Sequence, residues 1–458
     1  MIEETKEKDE VQFDEQHLRQ LLENLETDNF REEYLALHPY DQAQFYEKVG
    51  PDIRQIIYQY LSPKEMADIF EAIELDDDEY KGILEEMDTT YAAQMIAAMY
   101  TDDAVDVLNE LDKDQITHFL KIMDKDSAQD IKELLYYAEY TAGSIMTTEY
   151  VAIPENSTVR SAMTILRNAA PDAETIYYIF VVDDTNHLTG VISLRDLIIA
   201  EEDTLIRQIM NDRVVSINVT DDQEAVAQIM KDYNFLAVPV INSKNEMLGI
   251  ITVDDIIDVI DEEASDDYSK LAGVSDMVTF DKSPFAAAKK RLPWLVVLLF
   301  LGMLTANLVD LFTGTLEKVA ILAAFIPLIG GTSGNSGTQA LAVAVRGIAT
   351  GDVEEESKMK LLIREAITGI ITGVVCGVIA FGIVFFWKHM WLLGLLVGTA
   401  ICCSIIVATI AGSFIPLLMH RLKIDPAVAS GPFITTLNDI TSILIYLGIA
   451  TMFISKLM

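Results

Sequence analysis

Residues 188–198 read LTGVISLRDLI, and residues 247–257 repeat the same pattern as MLGIITVDDII. Matching segments precede them, IFVVD at 179–183 and VPVIN at 238–242. Each copy has the pattern of an apolar strand, a turn, a second strand and the start of an apolar helix. This duplication predicts two βαββα units that pack as a pair between residues 141 and 260.

The second strand of each copy ends in a hydroxyl residue, with an aspartate three positions later. These pairs are Ser193 with Asp196 and Thr252 with Asp255. A hydroxyl at such a position caps the following helix. The spacing itself therefore predicts a pair of helix caps, and binding of a nucleotide ribose by these aspartates is an alternative that only the resemblance given below implies.

The chain upstream of the repeat has a beat of about twelve residues. Pro39, Pro51 and Pro63 are evenly spaced, and proline suits the first turn of a helix. The beat continues through residues that favour helix N-termini, namely Asp76, Asp88, Thr101, Asp112 and Asp124. We therefore predict an all-α, solenoid-like domain at 13–140, preceded by a charged, disordered segment at 1–12.

The charge of the chain is divided unequally along its length. The 458 residues include 72 acidic and 33 basic side chains, a formal net charge of −39. Residues 291–458 hold 10 basic and 9 acidic side chains, so the acidic excess lies upstream. Because a nucleic-acid binder needs a basic surface against phosphates, this function is excluded. Cations are the partners that such a charge favours.

The downstream part, 292–458, contains five stretches long enough to cross a membrane, which takes about 20 apolar residues. They are 292–309, 319–345, 366–387, 390–419 and 427–455, and Asp439 is the one charge inside them. Basic residues concentrate before the first stretch and after the second and fourth. The positive-inside rule then predicts a cytoplasmic N-terminal part and an external C-terminus. Residues 261–291 are the expected connecting segment.

Two polar features interrupt these spans. The second contains GGTSGNSGTQ at 330–339, which we expect to break the helix and expose backbone groups to protein or a wet cavity. The fifth carries Gly431, Thr435, Asp439 and Ser442 on one helix face. Such a face either holds helices together or lines a water-filled cation path. No basic residue inside a span is available to pair with Asp439.

Taken together, these motifs resemble a known family. Residues 141–260 resemble tandem CBS domains. With the acidic helical domain before them, five spans after them, GNSGTQ at 334–339 and ITTLND at 434–439, the chain resembles the MgtE family of magnesium channels and transporters from about residue 20 to its end. The resemblance implies a homodimer that conducts Mg²⁺ along its two-fold axis, between the second and fifth spans.

The resemblance also assigns roles to individual residues. It implies that the pore is shaped by Asp439, Thr435, Gly334, Asn335 and Gln339, with Asp425 as a metal ligand at the cytoplasmic side. It implies regulatory Mg²⁺ ligands at Asp68, Asp102, Asp106, Asp222, Glu224, Asn234, Asp255, Asp258, Glu263, Asp266 and Asp267. Two positions depart from the family pattern: Asn234 stands where an aspartate is expected, and Gly431 stands where an asparagine is expected.

A nucleotide is the second ligand that the resemblance implies. Tyr178 and Phe235 would stack on the adenine of ATP, Arg195 would meet a phosphate, and Asp196 would bind the ribose. The resemblance further implies that cytosolic Mg²⁺ bridges the acidic domains and closes the pore, whereas low Mg²⁺ lets the acids repel and opens it.

Three other functions compete with this one. An enzyme is disfavoured because the sequence has neither the G-x-x-x-x-G-K-[ST] phosphate loop nor a nucleophile–base constellation. A membrane-anchored receptor for nucleotide or metal would need neither Asp439 nor the glycine-rich run. A carrier for Mn²⁺ or Ca²⁺ stays open, because oxygen ligands do not rank these ions against Mg²⁺.

Overall fold

The computed structural model describes residues 14–24, 26–73, 77–274, 284–350 and 358–453. The segment 1–12, expected to be disordered, and residues 275–283 of the connecting segment lie outside the described residues. The chain divides into two compact units, Met1–Val259 and Ile260–Met458.

The first unit begins with short helices, as the twelve-residue beat predicts. They are α1 (Glu15–Glu23), α2 (Thr27–Leu35), α3 (Pro39–Lys48), α4 (Pro51–Tyr60), α5 (Pro63–Phe70), α6 (Asp77–Glu86), α7 (Thr89–Ile96), α8 (Thr101–Asn109), α9 (Lys113–Ile122) and α10 (Lys125–Leu134). The three evenly spaced prolines each occupy the first turn of a helix. Asp88, Asp112 and Asp124 are N-cap residues, so these expected helix starts are confirmed.

The rest of the first unit consists of the two βαββα repeats. The first contains β1 (Ala152–Pro154), α11 (Val159–Ala169), β2 (Tyr178–Val182), β3 (Leu188–Ser193) and α12 (Leu194–Ile199). The second contains β4 (Ile217–Asn218), α13 (Gln223–Tyr233), β5 (Ala237–Ile241), β6 (Met247–Thr252) and α14 (Val253–Ala272). Each repeat forms a three-stranded sheet in which a parallel pair is followed by an antiparallel pair. The predicted repeat is confirmed.

The second unit is helical. It contains the last part of α14, then α15 (Pro284–Asp310), α16 (Thr313–Lys318), α17 (Ile326–Ala349), α18 (Lys358–Lys388), α19 (Trp391–Arg421) and α20 (Gly431–Met452). Two short 3₁₀ segments, Ala320–Phe325 and Pro426–Val428, precede α17 and α20. Among the described residues, four helices are long and apolar enough to cross a membrane: Ala287–Asp310, Lys358–Lys388, Trp391–Arg421 and Gly431–Met452.

The glycine-rich run in the second expected span does not break the helix. Residues 330–339 lie inside the continuous helix α17, so the expectation of freed backbone groups is wrong. Helix α17 is not one of the four apolar helices, because its polar and small residues lower its hydropathy. The glycines instead allow neighbouring helices to approach closely.

Candidate functional site

Glycines of α17 face the polar stripe of α20. A Cβ atom on Gly330 would lie 2.7 Å from Asp439 Oδ1, and one on Gly334 would lie 2.8 Å from Thr435 Cγ2. These separations are too short for a side chain, so glycine is what lets the two helices meet at this depth. The sequence motif 330–339 therefore provides a close-packed wall beside Asp439.

Further along α17, a second polar face is exposed. The Thr338 hydroxyl lies 3.2 Å from that of Thr435, and Asp439 is half-buried. Asn335 and Gln339 occupy an exposed face of α17, whereas Gly334 is buried. An amide that faces hydrocarbon without a partner is unfavourable. This face therefore requires water or protein against it.

A second cluster of expected ligands lies where α14 ends. Lys270 Nζ forms ion pairs with both Asp266 and Asp425, and Asp425 Oδ1 accepts a hydrogen bond of 2.8 Å from the Ala427 N–H. Burial, followed by the charge of Asp425, raises the pKa of Asp267 to about 6. The fold thus brings Asp266, Asp267 and Asp425 together. It adds Lys270, which the sequence analysis missed.

A third cluster joins the helical domain to the repeats within the first unit. Asp102 on α8 is only 8% exposed, and its Oδ1 has no hydrogen-bond partner among the described residues. Burial and then the charge of Asp255 raise the pKa of Asp102 well above its usual value. Burial raises the pKa of Asp103 and of Glu174 to about 8. These carboxyl groups share one low-dielectric site and repel one another.

Two glutamates fasten the N-terminus of α8 to its surroundings. Glu149 accepts hydrogen bonds from the Thr101 N–H at 3.3 Å and the Thr101 hydroxyl at 2.5 Å. Glu71 accepts a bond of 3.0 Å from the Tyr100 N–H, and burial raises the pKa of Glu71 to about 7. Acidic groups are favourable at a helix N-terminus. The Glu149 bonds hold α8 against the segment that leads into the first repeat, and the Glu71 bond holds α8 to the rest of the helical domain.

The fold brings five of the expected regulatory ligands to this cluster. They are Asp68, Asp102, Asp106, Asp255 and Asp258, each of which lies close enough to another acid of the cluster to affect a pKa there. The sequence analysis missed Glu71, Asp103, Glu149, Glu174 and Asp254. Nothing in their spacing distinguishes them from the many solvated acids of this unit. Among the described residues, no three acidic, histidine or cysteine side chains are close enough to hold a metal ion.

Of the four remaining expected ligands, Glu263 lies on α14, where its charge helps to raise the pKa of Asp267, and the other three lie at the ends of α13. Asp222 caps the start of the helix and bonds the Glu224 N–H at 3.0 Å. Asn234 lies at the opposite end, with a left-handed backbone. A helix of 11 residues is about 16 Å long, so Asn234 does not share an ion with Asp222 and Glu224 of the same chain.

The expected nucleotide residues divide between the two repeats. Tyr178 pairs with Ser193 across β2 and β3, and Ser193 directly precedes α12, the helix that contains Arg195 and Asp196. Ser193 Oγ donates to Asp196 at 2.7 Å and accepts from the Asp196 N–H at 3.1 Å, which is the helix-cap arrangement.

Phe235 belongs to the second repeat, where it stacks on Tyr233 with 5.3 Å between ring centroids. It precedes β5, whose first residue pairs with Thr252. Thr252 in turn donates to the Asp255 carboxylate through its hydroxyl and its N–H, so the hydroxyl–aspartate pair interacts in both repeats.

Family models match three segments of the chain. A divalent cation transporter model matches residues 326–449, and a model of the MgtE intracellular N domain matches residues 37–140. CBS domain models match residues 142–203 and 206–262. The matches follow the order of helical domain, repeats and membrane helices described above.

Known proteins resemble the whole chain and its soluble part. A magnesium transporter of Enterococcus faecalis is 54% identical over 95% of this chain and 96% of its own length, and one of Bacillus subtilis is 38% identical over 94% and 95%. The crystal structure of the soluble part of a magnesium transporter has 56% identity and a TM-score of 0.54. It covers 55% of this chain and 98% of that one.

The cytosolic domain of the Mg²⁺ channel MgtE in complex with ATP also matches, with 35% identity and a TM-score of 0.50, over 54% of this chain and 99% of that one. Because a relative of 54% identity aligns over nearly the full length of both proteins, and the domain order agrees, the chain belongs to the MgtE family of magnesium transporters.

Proposed function

We propose that two copies of this chain form a Mg²⁺ channel, with α17 and α20 of each copy lining the pore. Five helices cross the membrane, α15 and α17–α20, with the N-terminal unit in the cytoplasm and the C-terminus outside. The observation that carries this proposal is the exposed polar face of α17 at Asn335 and Gln339, next to the stripe with Thr435 and Asp439. Water and a second copy of the chain can form hydrogen bonds with these amide side chains, whereas lipid tails cannot.

Other exposed surfaces support a homodimer. Ile198, Ile199 and Ile257 are exposed on the repeats, and apolar surface of this kind is typical of interfaces between subunits.

A two-fold axis through the pore would bring two copies of Asp439 together. Carboxylates about 8 Å apart repel by about 2 kcal/mol at an effective dielectric constant of 20. A divalent ion relieves this repulsion better than a monovalent one. Mg²⁺ keeps several of its waters and binds through few carboxylates, so the pore needs no full cage of protein ligands. Mn²⁺ and Ca²⁺ remain the competing cargoes.

The two acidic clusters are the proposed sensors. Mg²⁺ that keeps most of its waters and contacts one or two carboxylates among Asp68, Asp102, Asp106, Asp255 and Asp258 holds the helical domain to the repeats. Mg²⁺ bound among Glu263, Asp266, Asp267 and Asp425 holds the end of α14 to the segment before α20. Asp222 and Glu224 share an ion with Asn234 only if that ion lies between two copies. At low Mg²⁺ the carboxylates repel, and the pore opens.

Reconstituted vesicles test the pore. We expect Asp439→Asn to abolish Mg²⁺ entry into dye-loaded proteoliposomes, whereas Asp310→Asn, at the exposed end of α15, keeps it. Equal entry through the Asp439→Asn and wild-type proteins would refute the pore role and favour a membrane-anchored receptor. Adding Ca²⁺ or Mn²⁺ as competitors ranks the three cargoes in the same assay.

The sensors need a separate measurement. Alanine at Asp102, Asp106 and Asp266 together should leave the channel open in membrane patches at millimolar Mg²⁺, because fewer carboxylates bind the closing ions. Unchanged closure of this triple variant would contradict the proposed regulation.

We also propose that ATP binds the CBS domains through Tyr178, Phe235, Arg195 and Asp196. The ATP complex of the related cytosolic domain supports this, as does the pairing of Tyr178 with Ser193, the residue before the helix that contains Arg195 and Asp196. ATP should shift the Mg²⁺ concentration that closes the channel, and Arg195→Ala should remove the shift. If the Mg²⁺ concentration that closes the channel is the same with and without ATP, this proposal is contradicted.

A further inference from the structure

Three helices of the second unit meet at one point, where Gly337 of α17, Gly412 of α19 and Asn438 of α20 come together. A Cβ atom on Gly337 would lie 1.9 Å from Asn438 Nδ2 and 3.2 Å from the Ala408 carbonyl oxygen. A Cβ atom on Gly412 would lie 2.2 Å from the Gly337 carbonyl oxygen. The Asn438 side chain therefore occupies the space that a side chain at position 337 would fill.

The amide of Asn438 contributes shape here rather than hydrogen bonds. Asn438 is 1% exposed, and neither its Nδ2 nor its Oδ1 has a hydrogen-bond partner among the described residues. A buried amide without partners costs free energy, so hydrogen bonding within the chain does not explain its place. The fit of the Asn438 side chain into the notch at Gly337 explains its place.

The next residue along α20 is Asp439. On a rigid helix, a side chain wedged at position 438 sets the rotation of the helix about its axis, and with it the direction of the neighbouring side chain. Asp439 lies against Gly330 of α17, whereas Asn438, the residue before it, lies in the notch at Gly337. We propose that Asn438 is a positioning residue: by filling the Gly337 notch, it holds α20 in the rotation that points the Asp439 carboxylate at the Mg²⁺ path.

Because Gly337 and Asn438 fit together sterically, we expect a change at one position to be compensated by a matching change at the other. Gly337→Ala alone adds a methyl group where the amide lies, and Asn438→Ala alone leaves the notch empty, so either change lets α20 rotate. The double variant Gly337→Ala/Asn438→Ala refills the notch from the other helix. The coupling between the two positions is what separates positioning from a general loss of packing.

The test is Mg²⁺ flux in proteoliposomes, measured as the Mg²⁺ concentration that gives half-maximal flux at matched amounts of inserted protein. We expect each single variant to raise this concentration about tenfold, equivalent to about 1.4 kcal/mol, and the double variant to return within about twofold of wild type. Gly448→Ala is the control, because a Cβ atom at this α20 glycine meets no atom within 4 Å.

Additive effects in the double variant would overturn the proposal, as would single variants that lower only the amount of inserted protein. The proposal rests on the pore role of Asp439, which Asp439→Asn tests separately. Retained flux in Asp439→Asn refutes the pore role itself, whereas lost flux in Asp439→Asn together with an uncompensated double variant refutes only the role of Asn438.

Discussion

Glu174 offers a direct test of the repulsion stored among the buried acids of the first unit. Its Oε2 atom is buried without a hydrogen-bond partner among the described residues, and burial, then the charges of Asp255 and Asp254, raise its pKa from 4.5 to about 8. Because the pKa is raised in the folded protein, the folded state binds the proton more tightly than the unfolded state. Without Mg²⁺, stability therefore falls as pH rises from about 4.5 to about 8.

The perturbation is Glu174→Gln, which keeps the shape and removes the titration. One pKa unit corresponds to about 1.4 kcal/mol, so wild type should lose about 2 kcal/mol relative to the variant between about pH 6 and 8. This difference moves the melting temperature of a unit of this size by about 4–8 °C. Bound Mg²⁺ should reduce it, because the cation offsets the repulsion.

The assay is calorimetry of the full chain in detergent with a chelator, at pH 6 and pH 8. Glu201→Gln, at an exposed glutamate of the same unit, is the matched control and should follow wild type. Parallel pH dependences for wild type and Glu174→Gln would refute the reasoning, because they would mean that Glu174 is already ionised at pH 6.

Two further predictions concern the membrane unit. Lys270→Met removes the ammonium group that lies between Asp266 and Asp425. Because half-exposed ion pairs contribute about 0.2–1 kcal/mol, the Mg²⁺ flux measured in patches at low Mg²⁺ should rise by up to about fivefold. Lys270→Arg keeps the charge and should leave this flux unchanged. Gly330→Ala places a methyl group 2.7 Å from Asp439 Oδ1 and should lower the Mg²⁺ flux into vesicles at least about tenfold. A flux equal to that of Gly448→Ala would contradict the close contact of α17 and α20.

The sequence was sufficient for features that depend on local periodicity. The proline beat and the aspartate caps located the short helices of the first unit, since capping involves only neighbouring residues. The repeat at 188–198 and 247–257 likewise predicted two βαββα units, and their sheets have equivalent registers. Both signals lie within about a dozen residues of chain, which is why they could be interpreted without tertiary contacts.

Features that depend on contacts between distant segments could not be predicted in this way. The glycine run at 330–339 suggested a broken helix, because glycine has a poor helix propensity. The contacts of Gly330 with Asp439 and of Gly334 with Thr435 override that preference. Asn438 was overlooked for the same reason: its neighbour Gly337 lies about a hundred residues earlier in the chain.

The acidic ligands likewise could not be identified from the sequence alone, but their burial in the structure reduces the number of candidates. Asp222 and Asp102 are both aspartates near a helix N-terminus, but Asp222 is exposed and bonds the N–H of Glu224. Asp102 is buried beside Asp255 with an unpaired oxygen. Burial, followed by repulsion from Asp255, raises the pKa of Asp102. A bound cation can recover the free energy of this repulsion, so burial distinguishes a candidate ligand from a helix cap. It follows that Mg²⁺ and protons compete for the same carboxylates, and binding of Mg²⁺ below about pH 8 must release protons.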